Sequence, residues 1–299
     1  MTTILLAGVA VLDFVFQVDH FPRIADKFRA KDAMIVNGGN AANASIALAK
    51  MGARPLLAAR LGDDPVADLI LAGLEKHEVD TALTRRFPGN RSSYSSIYLD
   101  DTGERQIVNF RDNTLTMAPD WLEAAMPKDF SAVLGETRWP AGAKAAMQAA
   151  RDRGVPGVMD GEVPVFEGEE ALRLASHVAF SARAACEFSG EEDVEQAILK
   201  ADTLLPGRVL ATDGPRGTFE ADNGSIRQHP AFAVDAVDTL GAGDVWHAAF
   251  TLRLGEGAKE ADAIRFASAA AAIKCTRAGG GSGAPARAEI EQFLSERER

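Results

Sequence analysis

The sequence predicts an α/β protein built on a doubly wound, mostly parallel sheet. Three observations lead there. Short, continuous apolar runs at residues 4–11, 132–135, 155–159 and 209–212 read as strands buried on both faces. Stretches of about a dozen residues with helical character separate them, as crossover connections in a parallel sheet do. Late in the chain the turn Gly241-Ala242-Gly243 opens a run, Val245 to Leu254, that is apolar nearly all round and so reads as a buried helix.

Composition narrows the function. The 299 residues carry 46 % hydrophobic and 25 % charged side chains, ordinary for a globular chain with a large core. A net charge of −11 argues against nucleic acid or an anionic membrane as partner. It also means that an anionic substrate needs cations placed beside it. Cys186 and Cys275 form no Cys-x-x-Cys pair, so a reduced cytoplasmic setting is expected. The N-terminus lacks the basic region of a signal peptide, and no apolar run reaches the length of a membrane span.

In chain order, the first strand, residues 4–11, leads to Asp13, expected at its C-terminal end where open α/β sheets bind ligands. Residues 14–18, 28–36, 92–99 and 105–110 alternate apolar and polar positions, as strands with one wet face do. Asp100-Asp101-Thr102-Gly103 joins the last two as a hairpin. These four strands form a small antiparallel sheet inserted in two pieces, read as a lid. The expected division is a core of residues 1–12, 37–91 and 112–299 and a lid of residues 13–36 and 92–111. Asn37-Gly38-Gly39-Asn40 opens an alanine-rich helix that stops at Gly52. A strand at 56–59, helices at 65–77 and 141–153, a strand at 178–181, a helix at 191–204 and closing helices at 258–276 and 286–295 complete the alternation.

The segment Asp238-Thr239-Leu240-Gly241-Ala242-Gly243-Asp244 carries the chemistry. A glycine turn at a helix start directs free N–H groups and the positive end of the helix dipole at one spot, a natural anion site. Asp244 in the first turn is expected to stay ionised, because the dipole favours a carboxylate there. An anion hole beside a carboxylate suits phosphoryl transfer, in which the carboxylate takes a hydroxyl proton. The same residues also describe an ordinary helix start, and Asn40 an ordinary N-cap.

Asp-Thr-x-Gly-Ala-Gly-Asp resembles the signature of the ribokinase/PfkB carbohydrate kinases. The resemblance implies a ribokinase-like fold, ATP and Mg2+, Asp244 as base and Gly241, Ala242 and Gly243 as anion hole. Asn-Gly-Gly-Asn resembles the second family signature, which implies that Gly39, Asn43 and Asp13 hold sugar hydroxyls. Thr212-Asp213-Gly214-Pro215-Arg216-Gly217 matches the family's nucleotide loop through Thr212, Gly214 and Gly217. The segment 275–281 resembles the part that helps bind a monovalent cation, placing K+ near Asp238, Leu240, Arg277 and Gly279. Where many members carry Asn-x-x-Glu to place Mg2+-bound phosphates, the matching positions here are Ser181 and Ala184, with Glu187 three residues on. A homodimer through the lid is expected by the same analogy.

Lys27, Asn109 and Arg138 resemble the sulfonate-holding residues of the sulfofructose kinases within this family. The implied substrate is a ketohexose derivative, with phosphoryl transfer to C1 of 6-deoxy-6-sulfofructose as one case. The Asn-Gly-Gly-Asn form is closer to ketohexokinases, so neutral-sugar kinases stay open. A catalytically silent sugar sensor is the non-enzyme alternative; its fold would be the same. No Gly-x-Gly-x-x-Gly follows the first strand and no Walker motif occurs, which disfavours dehydrogenases and P-loop NTPases.

Overall fold

The computed structural model describes residues 1–102 and 104–297. Gly103 of the expected hairpin turn lies outside them. The chain runs β1 (Thr3–Ala7), β2 (Val11–Gln17), β3 (Asp32–Gly38), α1 (Asn40–Lys50), β4 (Arg54–Gly62), α2 (Pro65–Lys76) and β5 (Thr84–Phe87). Next come β6 (Tyr94–Leu99), β7 (Arg105–Phe110), α3 (Asp120–Ala124), β8 (Ala132–Glu136), α4 (Pro140–Arg153) and β9 (Gly157–Gly161). The second half holds α5 (Glu169–Leu174), β10 (His177–Ser181), α6 (Ala182–Ser189), α7 (Val194–Leu204), β11 (Arg208–Thr212), β12 (Thr218–Asp222) and β13 (Ser225–His229). It closes with α8 (Ala242–Gly255), α9 (Glu260–Cys275) and α10 (Arg287–Glu296).

The large sheet has the order β13-β12-β11-β10-β9-β8-β1-β4-β5. It is parallel from β11 through β5, with β12 and β13 added antiparallel at one edge. Successive residues of β1 feed opposite faces. Ile4 and Leu6 enter the core that includes α1 and α8, and Leu5 and Ala7 the core that includes α4 and α7. This is why β1 reads as an unbroken apolar run. Strand order reverses between β1 and β8, and at such a switch point a crevice opens outside the strand C-termini.

The smaller sheet has the order β3-β2-β6-β7. Two antiparallel pairs, β3–β2 and β6–β7, meet in parallel at β2–β6. The expected first strand ends early. β1 stops at Ala7, the chain crosses at Gly8, and Asp13 lies inside β2 of the small sheet, not at the end of β1. The apolar run misleads here because β2 also carries buried apolar residues: Leu12 and Val15 are 2 % and 5 % exposed.

Two further differences have local causes. The helix expected over 191–204 begins at Val194 and is preceded by a separate helix, α6, because Gly190 adopts φ 76° at the end of α6 and Asp193 caps α7 by accepting from Glu195 and Gln196 N–H. The hairpin β12–β13 was not anticipated, although Asn223-Gly224 between its strands, both at positive φ, is a strong hairpin signal. Among the described residues no helix is long and apolar enough to cross a membrane.

Candidate active site

The two motifs singled out in the sequence meet through side chains. Asn43 in α1 is 7 % exposed, and its Nδ2 donates to Asp244 Oδ2 at 2.8 Å. Its Oδ1 accepts from Gly281 N at 3.0 Å, which fixes the amide's orientation. Asn43 therefore braces the carboxylate and is committed on both ends. Gly39 caps α1 at φ 91° with no side chain over the helix end. Asn40 is not that cap; its Nδ2 reaches across to Asp160 Oδ2 at 3.0 Å.

The glycine turn has free donors. Gly241 holds φ 74° at the N-cap of α8. Ala242 N–H turns back to Thr239 O at 3.2 Å, so it is not among the donors open to an anion. The N–H groups of Gly241, Gly243 and Asp244 have no partner among the described residues. They lie at the dipole's positive end, where an anion gains most.

Beneath Asp244 lies a charged cluster whose members were not singled out in the sequence. Glu136 ends β8, Asp160 is the next-to-last residue of β9, and His247 follows Asp244 by one helical turn. His247 Nδ1 lies 2.8 Å from Gly243 O, and Nε2 lies 3.0 Å from Ala179 O. Both neighbours are carbonyl acceptors, so both ring nitrogens must donate, which only the imidazolium can do. Asp160 Oδ1 at 3.6 Å supplies the counter-charge. Burial pulls the His247 pKa down, but Asp160 and the two carbonyls outweigh it and the net shift is upward.

Asp244 departs from expectation. Burial and then the Asp160 charge push its carboxyl up to about 7, against Asn43, His247 and Arg138. The dipole alone would have kept it ionised, but a crowded site with a second carboxylate reverses the sign. Glu136 is likewise pushed up to about 7, first by burial. Its Oε2 accepts Arg138 N–H at 2.8 Å, while Oε1 is buried with no hydrogen bond. The available signal for these residues was position: polar side chains where buried parallel strands end.

The expected nucleotide residues line one cleft. Thr212, Gly214 and Gly217 face Thr239, Ala242 and Gly243 across a cavity of about 470 Å³. Its walls are mostly apolar, including Phe232 and Trp246, as a heterocycle pocket requires. On the small sheet Asp13, Ser95 and Asn109 fall in one cross-strand row. Burial raises the Asp13 carboxyl, opposed by a hydrogen bond from Ser95. Asn109 and Lys27 are exposed, and Arg138 follows β8 half-buried. The Lys27 ammonium, the Asn109 amide and the Arg138 guanidinium make no side-chain hydrogen bond or salt bridge among the described residues, although the Arg138 charge lowers the Glu136 and Asp244 pKa values.

The remaining expected positions surround Asp238. Its Oδ1 accepts Leu240 N–H at 2.8 Å and its Oδ2 accepts Gly279 N–H at 3.0 Å. The Arg277 guanidinium turns away to Glu289. Ser181 caps α6 by accepting from Ala184 N–H, and Glu187 accepts Val165 N–H at a long 3.5 Å. Among the described residues no group of three or more acidic, His or Cys side chains forms a metal site.

The model of the family described as pfkB family carbohydrate kinase matches residues 1–287. The chain belongs to this family. Similar proteins include ribokinases of Haemophilus influenzae, 27 % identical over 98 % of both chains, and of Bacillus subtilis, 26 % identical over 99 % of this chain and all of that one. Among solved structures, ribokinase of Thermotoga maritima superposes at a TM-score of 0.85 with 27 % identity, covering 99 % of this kinase and all of that chain. Arabidopsis thaliana ribokinase, solved with ribose and ATP, shares the fold at a TM-score of 0.85 and 23 % identity, over 98 % and 99 % of the two chains. This chain is accordingly a sugar kinase of the ribokinase type.

Proposed function

We propose that this kinase transfers the γ-phosphoryl group of ATP to a hydroxyl of a ketohexose-type sugar bearing an anionic group, with C1 of 6-deoxy-6-sulfofructose as the preferred case. Asp244 takes the hydroxyl proton, the hydroxyl oxygen attacks the γ-phosphorus, and ADP leaves. The N–H groups of Gly241, Gly243 and Asp244 stabilise the charge that builds on the transferring group. ATP takes the 470 Å³ cleft with its phosphates toward that turn. Asp13 holds sugar hydroxyls from the small sheet, which closes over the sugar and excludes water. Magnesium supplies neutralisation of the phosphate charge when bound with the nucleotide. An ion that keeps its waters and leans on substrate phosphates needs few protein ligands.

Arg138 carries the substrate reading. A half-buried guanidinium held in no salt bridge, acting on Glu136 and Asp244 only through its charge, is unusual in a chain of net charge −11. Its planar fork suits sulfonate or phosphate oxygens, with Lys27 and Asn109 as further donors. The ribokinase relatives favour a second reading, a neutral sugar, in which Arg138 serves mainly to moderate the charge of Asp244 and Glu136. A kinase assay across neutral, phosphorylated and sulfonated sugars separates the two. The first reading expects preference for the anionic ketohexose. It also expects Arg138→Ala to lower kcat/KM on that sugar by about 30-fold or more, with a much smaller effect on fructose. Wild-type preference for a neutral sugar, or equal losses on both, moves the assignment to the second reading.

A homodimer through the lid belongs to the same proposal. Ile35 on β3 and Val108 on β7 lie in one cross-strand row and are 57 % and 62 % exposed, apolar positions on one face of the outer strands. Sedimentation should show a dimer that Val108→Lys weakens; a wild-type monomer at assay concentrations removes this part.

A further inference from the structure

The positions at which the family resemblance places a monovalent cation do not fit one here. Lys274, in the last turn of α9, has no exposed surface. Its Nζ donates to Asp238 O at 2.8 Å and to Asp238 Oδ2 at 3.2 Å. With Leu240 N–H on Oδ1 and Gly279 N–H on Oδ2, all three oxygens of Asp238 are engaged. A second cation entering beside a fully buried ammonium would meet like charge without water to screen it.

We propose that the Lys274 ammonium replaces the monovalent cation, so that this kinase is independent of K+. The inference rests on the kinase reading of the site but not on any particular sugar. Three features support it. An ammonium is a compact point charge of a size similar to K+, and it prefers the same oxygen donors. The carboxylate it binds is already saturated with donors: Leu240 N–H on Oδ1, and Gly279 N–H and the Lys274 ammonium on Oδ2. The contact also sits where a bound cation would matter. Asp238 precedes the anion-hole turn by three residues, and a Cβ on Gly241 would lie 2.9 Å from Gly280 Cα. Lys274 thus neutralises the Asp238 carboxylate, whose Oδ2 also accepts Gly279 N–H and so ties Asp238 to the loop that follows α9, which leaves the turn electropositive toward phosphate.

The experiment compares ATP affinity, by calorimetry, and melting temperature in KCl and in N-methylglucamine chloride at equal ionic strength. For the wild type, both should agree between buffers, the affinity within about twofold, where a coupled cation site would shift it by about 5- to 150-fold. Lys274→Met should bind ATP more weakly in N-methylglucamine, by a factor in that same range of about 5- to 150-fold, and recover in K+ as the ion takes the freed oxygens. Wild-type affinity that depends on K+ overturns the proposal. So does a folded Lys274→Met protein that K+ fails to restore, or one that never lost affinity. If Lys274→Met does not fold, the wild-type comparison decides alone. Absence of turnover with every sugar would defeat the kinase reading while leaving the nucleotide-binding comparison intact.

Discussion

Asp244→Asn should lower turnover by about 100- to 10,000-fold, the usual loss when a general base is removed. The variant keeps an oxygen that can accept the Asn43 amide proton, so the 2.8 Å contact survives and nucleotide binding should persist. Because the wild-type carboxyl is pushed up to about 7, kcat/KM should rise as pH increases through that region, as the base becomes ionised. Asp160, Glu136, His247 and Arg138 all face or sense this group, so the profile reports the cluster rather than one residue. Stability runs the other way. A carboxyl whose folded pKa lies above its ordinary value of 3.8 favours folding below that value, and the contribution is lost as pH rises through about 7. Asp244→Asn should therefore melt higher than the wild type at pH 8 and about equally at pH 4. An Asn variant retaining more than about a tenth of wild-type turnover at a chemistry-limited step would remove Asp244 from the role of base.

What the sequence disclosed, and what it hid, follows from how each signal arises. The parallel core was legible because strands buried on both faces leave unbroken apolar runs, as Leu5 and Leu6 do by feeding opposite cores. The turn at Gly241–Gly243 was legible because chemistry demands residues in sequence there. Asp13 was misplaced because an apolar run does not mark where one strand of the large sheet ends and one of the small sheet begins. Asp160, Glu136 and His247 were hidden for a different reason. They come from three elements spread over residues 136–247, and only the folded order of β8, β9 and α8 brings them together. The raised Asp244 pKa was hidden with them, since the dipole is local in sequence and the opposing carboxylate is not. Lys274 reads as an ordinary basic residue in a last helical turn until Asp238 is seen against it.

Gly243→Val should abolish phosphoryl transfer while leaving the fold intact, and the contrast with Gly241 makes this informative. Gly241 needs φ 74°, and a Cβ there would press on Gly280 Cα at 2.9 Å, so any side chain at 241 harms folding and function together. Gly243 lies inside the first turn of α8 without positive φ, and a Cβ there meets nothing within 4 Å. The open space is the cleft itself, since Gly243 lines it. A valine therefore folds without strain but projects its methyl groups where phosphate oxygens must approach the N–H groups of Gly243 and Asp244. Loss of one such donor in an anion hole typically costs about 100- to 1,000-fold in kcat. The expected result is a Gly243→Val protein with a wild-type melting temperature and near-wild-type sugar binding, weakened ATP binding, and turnover down by at least about 100-fold. Gly243→Ala should fall between, because a single methyl group blocks less of the approach. A Val variant that turns over normally would show that the phosphates pass elsewhere and that the free N–H groups at the start of α8 are not the anion hole.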